Sequence, residues 1–326
     1  MKIGIVGQGA IGSLFAYYFK ILSPVLLVKN VDVPAKTIIG LTGESTLLDF
    51  AKQPVHASFT NNAEPYIFDF LLITVKGYQL AELIFQLRPW VTRQTRLIII
   101  QNGMGGAQML AAHFPQNLIY AGTTTDAVYA SAIDTFQISA QGRLDIGPLW
   151  NMLDPTQYAP KPCKHKTVNW QHEKSLLDSL LRFHPFVMYH QDVSDALYTK
   201  LAINGVINPL TAVLQIKNGQ LRQYPEKVAA LKKEIFAVYK ANDITFFEQA
   251  LSHAIDIVIE ATSENWSSMC QDVKYKRLSE NETVLGFLHS IAESKKLDVP
   301  LIAELYQELK RLDVAHTTIL LQNNKI

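Results

Sequence analysis

An ammonium group and two carboxamides stand four residues apart in "SDALYTKLAINGVINPLTAVL", at Lys200, Asn204 and Asn208. The residues around them are mostly apolar and repeat with helical spacing. Positions four apart lie one above the other on a helix, so the three polar groups form one stripe. Burying that stripe against apolar protein without partners costs several kcal/mol, roughly 2–7 for an amide alone. A polar occupant is therefore expected opposite it. Carboxamides can hold a carboxylate and an ammonium can reach a neighbouring ketone oxygen, which together describe an α-keto acid. Pro209 follows Asn208 directly; it lacks an N–H and clashes with the Gly205 carbonyl, so a bend is expected there.

A second constellation opens the chain. "KIGIVGQGAIG" ends in Gly7-Gln8-Gly9-Ala10-Ile11-Gly12, a GxGxxG that follows an apolar strand and starts an apolar helix. In that context the pattern predicts a dinucleotide cradle. Gly7 allows the tight turn, Gly9 lets backbone approach a pyrophosphate, and Gly12 lets helix and strand pack closely. N–H groups at the helix start, with the positive end of its dipole, then face the phosphates. Cofactor choice is read from the end of the second strand, "PVLLVKNVD". Lys29 and Asn30 stand where an acid would hold a ribose 2′-hydroxyl, and they suit the 2′-phosphate of NADP(H). Asp32 lies a little further on and keeps NAD as the alternative. "ITVKGYQ" and "IIIQNGMGG" place Lys76 and Asn102 at the carboxyl ends of two further strands, where open α/β sheets bind ligands. "GTTTDAV" ends another strand and brings Asp126 to the same edge.

These groups need a scaffold, and the order of the elements supplies one. "KIGIVG", "PVLLVK", "DFLLITVK", "RLIIIQNG" and "LIYAGTTT" are short unbroken apolar runs that suit strands buried on both faces of a parallel sheet. Helical stretches such as "IGSLFAYYFKIL" and "YQLAELIFQL" separate them, so the first half reads as a Rossmann-type doubly wound α/β domain. "TFQISAQGRLDIGPL" alternates and predicts an antiparallel hairpin covering one edge. Four prolines between Pro148 and Pro162 predict an irregular surface loop. Helical spacing then dominates, near 194–214, 225–241, 247–262, 282–295 and 300–313. The expected division is 1–191 for nucleotide binding and 192–326 for an all-α substrate domain.

Composition narrows the function class. At 326 residues, 48% hydrophobic, 18% charged and a formal net charge of +1, nothing points to nucleic acid or an anionic membrane as partner. Two cysteines, Cys163 and Cys270, exclude a disulfide scaffold and fit a reducing cytoplasm. The glycines interrupt the N-terminal apolar run, which argues against a signal peptide, and no run of about 18 unbroken apolar residues occurs. Nine histidines are scattered without metal-ligand spacing, so no metal site is expected. His184, His190 and His289 read as surface or boundary residues. Glu260 and Glu264 read as an exposed face, and "KVAALKKEIFAVYK" as an amphipathic helix with a solvated side.

Taken together, Gly7–Gly12, "VKGYQ", "QNGMG", "GTTT", "KLAINGVINPLTA", "KNGQL" and "SSMCQDVKYKRLSE" make the chain resemble the ketopantoate reductase family, from Met1 to about Leu312. The resemblance implies NADPH-dependent reduction of 2-dehydropantoate to (R)-pantoate in pantothenate synthesis. It implies an all-α C-terminal domain of the 6-phosphogluconate-dehydrogenase C-terminal kind, that Lys200 is the catalytic lysine, and that Asn102, Asn204, Asn208, Asn218 and Ser268 contact substrate, Asn102 touching the cofactor as well. Lys76 and Glu280 would sit at the junction of cofactor and substrate, Glu280 either orienting Lys200 or accepting a hydrogen bond from the substrate hydroxyl. Lys29 or Asn30 replaces an arginine usual in relatives. Glu282 and Leu285 stand for an acid and an asparagine, and Asp126 stands where relatives often have histidine. Such departures would suit a paralogue acting on another branched 2-keto acid, and a non-catalytic NADP(H)-responsive binding protein is a further alternative. The apolar helical half would also offer a face for a homodimer.

Overall fold

The computed structural model describes residues 1–56, 67–148 and 170–323. The proline-rich stretch beyond Pro148, with Cys163, lies outside them. The described residues form two compact units: Met1–Gln101 with those from Gly106 to Ser194, and Asn102–Gly105 with those from Asp195 on.

In the first unit, β1 (Ile3–Val6) leads into α1 (Ala10–Tyr18), then β2 (Val25–Val28), β3 (Lys36–Ile39), β4 (Ser45–Leu48) and β5 (Lys52–Pro54). Next come β6 (Phe70–Ile73), α2 (Gly77–Leu87), β7 (Arg96–Ile100), α3 (Gly106–His113) and β8 (Ile119–Thr124). β9 (Ala127–Ala132), β10 (Thr135–Ala140), β11 (Leu144–Pro148), α4 (Trp170–Leu181) and β12 (Val187–Tyr189) complete it. The main sheet has eight strands in the order β12-β11-β8-β7-β6-β1-β2-β5. From β5 to β8 all neighbours are parallel, whereas β11 runs antiparallel to β8. β1, β2 and β6 are buried along their whole lengths, as runs of Ile, Val, Leu and Phe, with Gly4 in β1, require in a sheet covered on both faces. Because β1 is flanked by β2 on one side and β6 on the other, the winding reverses there, at the switch point where such sheets bind ligands.

A second sheet, β4-β3-β10-β9, does not follow from the apolar runs. Its strands β3 and β4 are short and half exposed, so they carry no buried-strand signature. It also corrects the expected hairpin over "TFQISAQGRLDIGPL". β10 pairs antiparallel with β9 and parallel with β3, while β11 joins the main sheet beside β8. The reversal lies at Asp134, whose φ of 54° closes the β9–β10 turn.

The second unit is helical: α5 (Ser194–Leu214), α6 (Pro225–Ala241), α7 (Glu248–Ala261), α8 (Ser268–Lys274), α9 (Phe287–Ser294) and α10 (Pro300–Asn323). A π-helical turn over Glu282–Gly286 runs directly into α9. α5 continues through Pro209 without ending. Gly205 lets it approach closely, since a Cβ there would lie 3.1 Å from both Ile235 and Leu288. On α6, Lys232 is buried and pairs with Asp256 at 2.6 Å, an inward lysine on a face expected to be solvated. Glu260 and Glu264 are exposed, paired with Arg222 and Lys217 respectively. Among the described residues no helix is long and apolar enough to cross a membrane.

His184 is not at the surface or boundary: its side chain and that of Asp126 are both fully inaccessible, with Nε2 2.9 Å from Asp126 Oδ2. Tyr18 donates to Asp126 Oδ1 at 3.2 Å, Gly142 N–H donates at 2.8 Å, and the Thr124 hydroxyl adds another bond. Burial alone would raise the Asp126 pKa, but the hydrogen bonds from His184, Thr124 and Gly142 outweigh it and hold the carboxyl below its usual range. Burial first, then the Asp126 charge, keeps the Tyr18 phenol protonated well above its ordinary range. A depressed carboxylate stabilises the fold above its unfolded pKa of about 4 and loses that contribution as pH falls through the folded value. Asp126→Asn is therefore expected to lower the melting temperature near neutral pH by roughly 5–10 °C. It should also flatten the acid limb of a pH–melting curve, which calorimetry checks.

Candidate active site

The glycine turn is built by close contact rather than by side chains. Gly7 has φ +102°, and a Cβ there would meet the Thr74 hydroxyl at 2.8 Å. A Cβ on Gly12 would overlap the Gly7 carbonyl oxygen, whereas one on Gly9 would meet nothing within 4 Å. The two outer glycines are thus demanded by packing, and the middle one opens onto space. Thr74 ties the turn down, donating through its hydroxyl to the carbonyls of Val6 and Gly7 at 3.0 and 3.1 Å. α1 has no side-chain cap, and its first internal bond runs from Ser13 N–H to Gly9 O. The N–H groups of that turn, including those of Ala10 and Ile11, point out along the axis. Beside them Gln8 holds a buried side-chain nitrogen with no protein partner. Aligned N–H dipoles, an orphaned donor and an open glycine together fit a diphosphate.

Strand register brings the other predicted nucleotide contacts to the same edge. Val6 pairs with Leu27 and Ile73, so Lys29 and Lys76 follow the carboxyl ends of the strands on either side of β1. Lys29 is exposed and lies 3.7 Å from Glu82 on α2. Asn30 is also exposed, and its side-chain oxygen accepts from Asp32 N–H at 3.0 Å, which shapes the loop after β2. Lys76 is the residue before α2, its N–H donating to the Gln79 side chain at 3.1 Å. Gln101, one residue past β7, donates to the Val75 carbonyl at 2.6 Å and fixes the Lys76 loop.

In the helical unit, α5 presents Lys200 and Asn204 half buried and Asn208 buried. Thr211 Oγ1 bonds back to the carbonyls of Ile207 and Asn208 and to Ser267 Oγ. Asn102 donates through Nδ2 to Glu280 Oε2 at 3.0 Å, joining residues 178 positions apart in sequence. Glu280 is 7% exposed, so this carboxylate is largely withdrawn from water. Asn218 is buried: its amide donates to Thr262 Oγ1 at 2.8 Å, while its side-chain oxygen has no protein partner. Ser268 is exposed at the first turn of α8, and the neighbouring Ser267 caps that helix by accepting from Cys270 N–H at 3.1 Å. Leu285 is fully buried and Glu282 exposed, accepting from Tyr306 at 2.7 Å. Among the described residues no cluster of three or more metal-ligating side chains occurs.

The arrangement offers an ammonium, carboxamides and a withdrawn carboxylate on one unit, and a diphosphate cradle on the other. Thr74 and Gln101 escape sequence reasoning because their tasks are contacts with main-chain carbonyls.

The family model described as "Ketopantoate reductase PanE/ApbA" matches residues 3–151, and that described as "Ketopantoate reductase PanE/ApbA C terminal" matches residues 192–313. The chain is 29% identical to the 2-dehydropantoate 2-reductase of Vibrio cholerae serotype O1, covering 96% of itself and 98% of that protein. The crystal structure of probable 2-dehydropantoate 2-reductase panE from Bacillus subtilis is similar at a TM-score of 0.74 and 25% identity, over 96% of this chain and 100% of that one. A D-mandelate dehydrogenase solved with NADH and anilino(oxo)acetate shares the fold at a TM-score of 0.82 and 17% identity, over 97% and 99% of the two chains.

Proposed function

The chain belongs to the ketopantoate reductase family of oxidoreductases, and from that premise we propose that it reduces 2-dehydropantoate to (R)-pantoate with NADPH, in pantothenate synthesis. Residues 1–191 serve as the nucleotide-binding domain and 192–326 as the substrate domain. The observation that carries this reading is the Lys200–Asn204–Asn208 stripe, half buried at its first two members and buried at the third, in the same unit as the Asn102–Glu280 pair.

The cradle at Gly7, Gln8, Gly9, Ala10, Ile11 and Gly12 holds the pyrophosphate, and Lys29 and Asn30 meet the 2′-phosphate. When bound, the reduced nicotinamide supplies a hydride to the ketone carbon. Lys200 as an ammonium stabilises the charge that develops on the ketone oxygen and gives it a proton. Asn204, Asn208, Asn218 and Ser268 hold the carboxylate; the unpartnered oxygen of Asn218 also suits a hydroxyl donor. Glu280, kept in place by Asn102, accepts a hydrogen bond from the substrate hydroxyl, and Lys76 stands where cofactor and substrate meet.

Steady-state oxidation of NADPH and NADH over a panel of 2-keto acids tests the proposal. Highest kcat/KM is expected for 2-dehydropantoate with NADPH. Turnover confined to another branched 2-keto acid would move the substrate assignment, and tight NADPH binding with no turnover would leave a binding protein. Lys29→Ala should weaken NADPH binding about tenfold and leave NADH binding unchanged, because it removes one charged contact to the 2′-phosphate. Equal effects on the two cofactors would remove Lys29 from that role.

A further inference from the structure

The segment Asn102–Gly105 packs with the helical unit although it follows β7 directly in sequence. Its seat is the π-helical turn after Glu280. Met104 N–H donates to the Thr283 carbonyl at 2.8 Å. The Thr283 hydroxyl is within hydrogen-bond distance of two carbonyls, 3.3 Å from Asn102 O and 3.2 Å from Glu280 O. One side chain therefore bridges the main chain of both members of the Asn102–Glu280 pair. Gly103 has φ +78°, and a Cβ there would overlap the Thr283 carbonyl, so segment and turn meet with no room for a side chain. Widened turns of this kind often mark functional positions in helices, and here the turn aims a carbonyl and a hydroxyl at a neighbouring segment.

We propose that Thr283 is a positioning residue for the reduction, clamping Asn102–Met104 on the π-helical turn so that the Asn102 carboxamide stays against the Glu280 carboxylate. The inference rests on the reductase reading above. Thr283 touches neither substrate nor cofactor in this account; it acts through Asn102 and Glu280. Hydroxyl bridging is its task, so serine should replace it and valine, which has the same shape without the hydroxyl, should not. Displacing a catalytic group by about 1 Å can cost on the order of 10²-fold in rate, and a partial loosening is expected to cost less.

The test compares Thr283→Val and Thr283→Ser by steady-state kinetics and by hydrogen–deuterium exchange of the peptide carrying Met104. Thr283→Val should lower kcat about tenfold, leave the KM for NADPH unchanged, and speed exchange at Met104. Thr283→Ser should stay within about twofold of wild type in both readouts. Valine matching wild type in kcat and exchange would overturn the proposal, as would serine failing as badly as valine. Absence of turnover by the wild-type protein on any 2-keto acid would instead defeat the reductase reading, and exchange in the two variants would still decide the clamp.

Discussion

Lys200→Ala is expected to lower kcat by about 10²–10⁴-fold, the usual contribution of a positioned general acid, while affinity for the nicotinamide cofactor stays unchanged. The reason lies in where Lys200 stands. It is half buried on α5, one turn before Asn204 and two before Asn208, on a helix whose Gly205 packs closely against Ile235 and Leu288. Truncating the side chain leaves that packing in place, so the variant should still fold. The loss then falls on the transition state, where negative charge on the ketone oxygen is left without its ammonium. Lys200→Arg should not restore activity, because a guanidinium is larger and does not release its proton readily. Single-turnover kinetics with cofactor titration separates these quantities; near-normal kcat in the alanine variant would remove Lys200 from the chemistry.

Gly12→Ala should raise the dissociation constant of the cofactor by about 10²-fold or more, the scale of losing two charge-assisted hydrogen bonds. A Cβ at this position overlaps the Gly7 carbonyl, so α1 must move off the strand it follows and its N–H groups leave the pyrophosphate. Overpacking of this kind also costs stability, typically about 1–3 kcal/mol. Gly9→Ala provides the contrast. Its added methyl meets no protein atom within 4 Å, so melting should be unchanged while binding still falls, because that space belongs to the ligand. Calorimetric titration and thermal melting on both variants check this. Undiminished binding in Gly12→Ala would show that the turn does not carry the diphosphate.

What the residues disclosed beforehand depended on how locally each feature is encoded. α5 and α6 were legible to the residue, Ser194–Leu214 and Pro225–Ala241, because long runs with sustained helical spacing are strong local signals. The buried parallel strands were equally plain in their unbroken apolar runs. The second sheet was not, because β3 and β4 are short and half exposed, and β3 finds its other partner, β10, far along the chain. "TFQISAQGRLDIGPL" alternates throughout, yet β10 and β11 part into different sheets, a choice fixed by tertiary partners. His184 stands between Phe183 and Pro185 with nothing nearby to betray its bond to Asp126, 58 residues away. In the site, the glycines announced their packing through their spacing, whereas the Asn102–Glu280 pair and the Thr283 clamp exist only once the chain has folded.

The most direct test follows the reduction at the atom where it happens. The protein is incubated with 2-dehydropantoate and NADPH carrying deuterium on the transferable face of the nicotinamide C4, and the product is examined by NMR. The product expected is pantoate labelled at C2, with the label lost together with turnover in Lys200→Ala. Unlabelled 2-dehydropantoate recovered intact from a protein that demonstrably binds NADPH would contradict it.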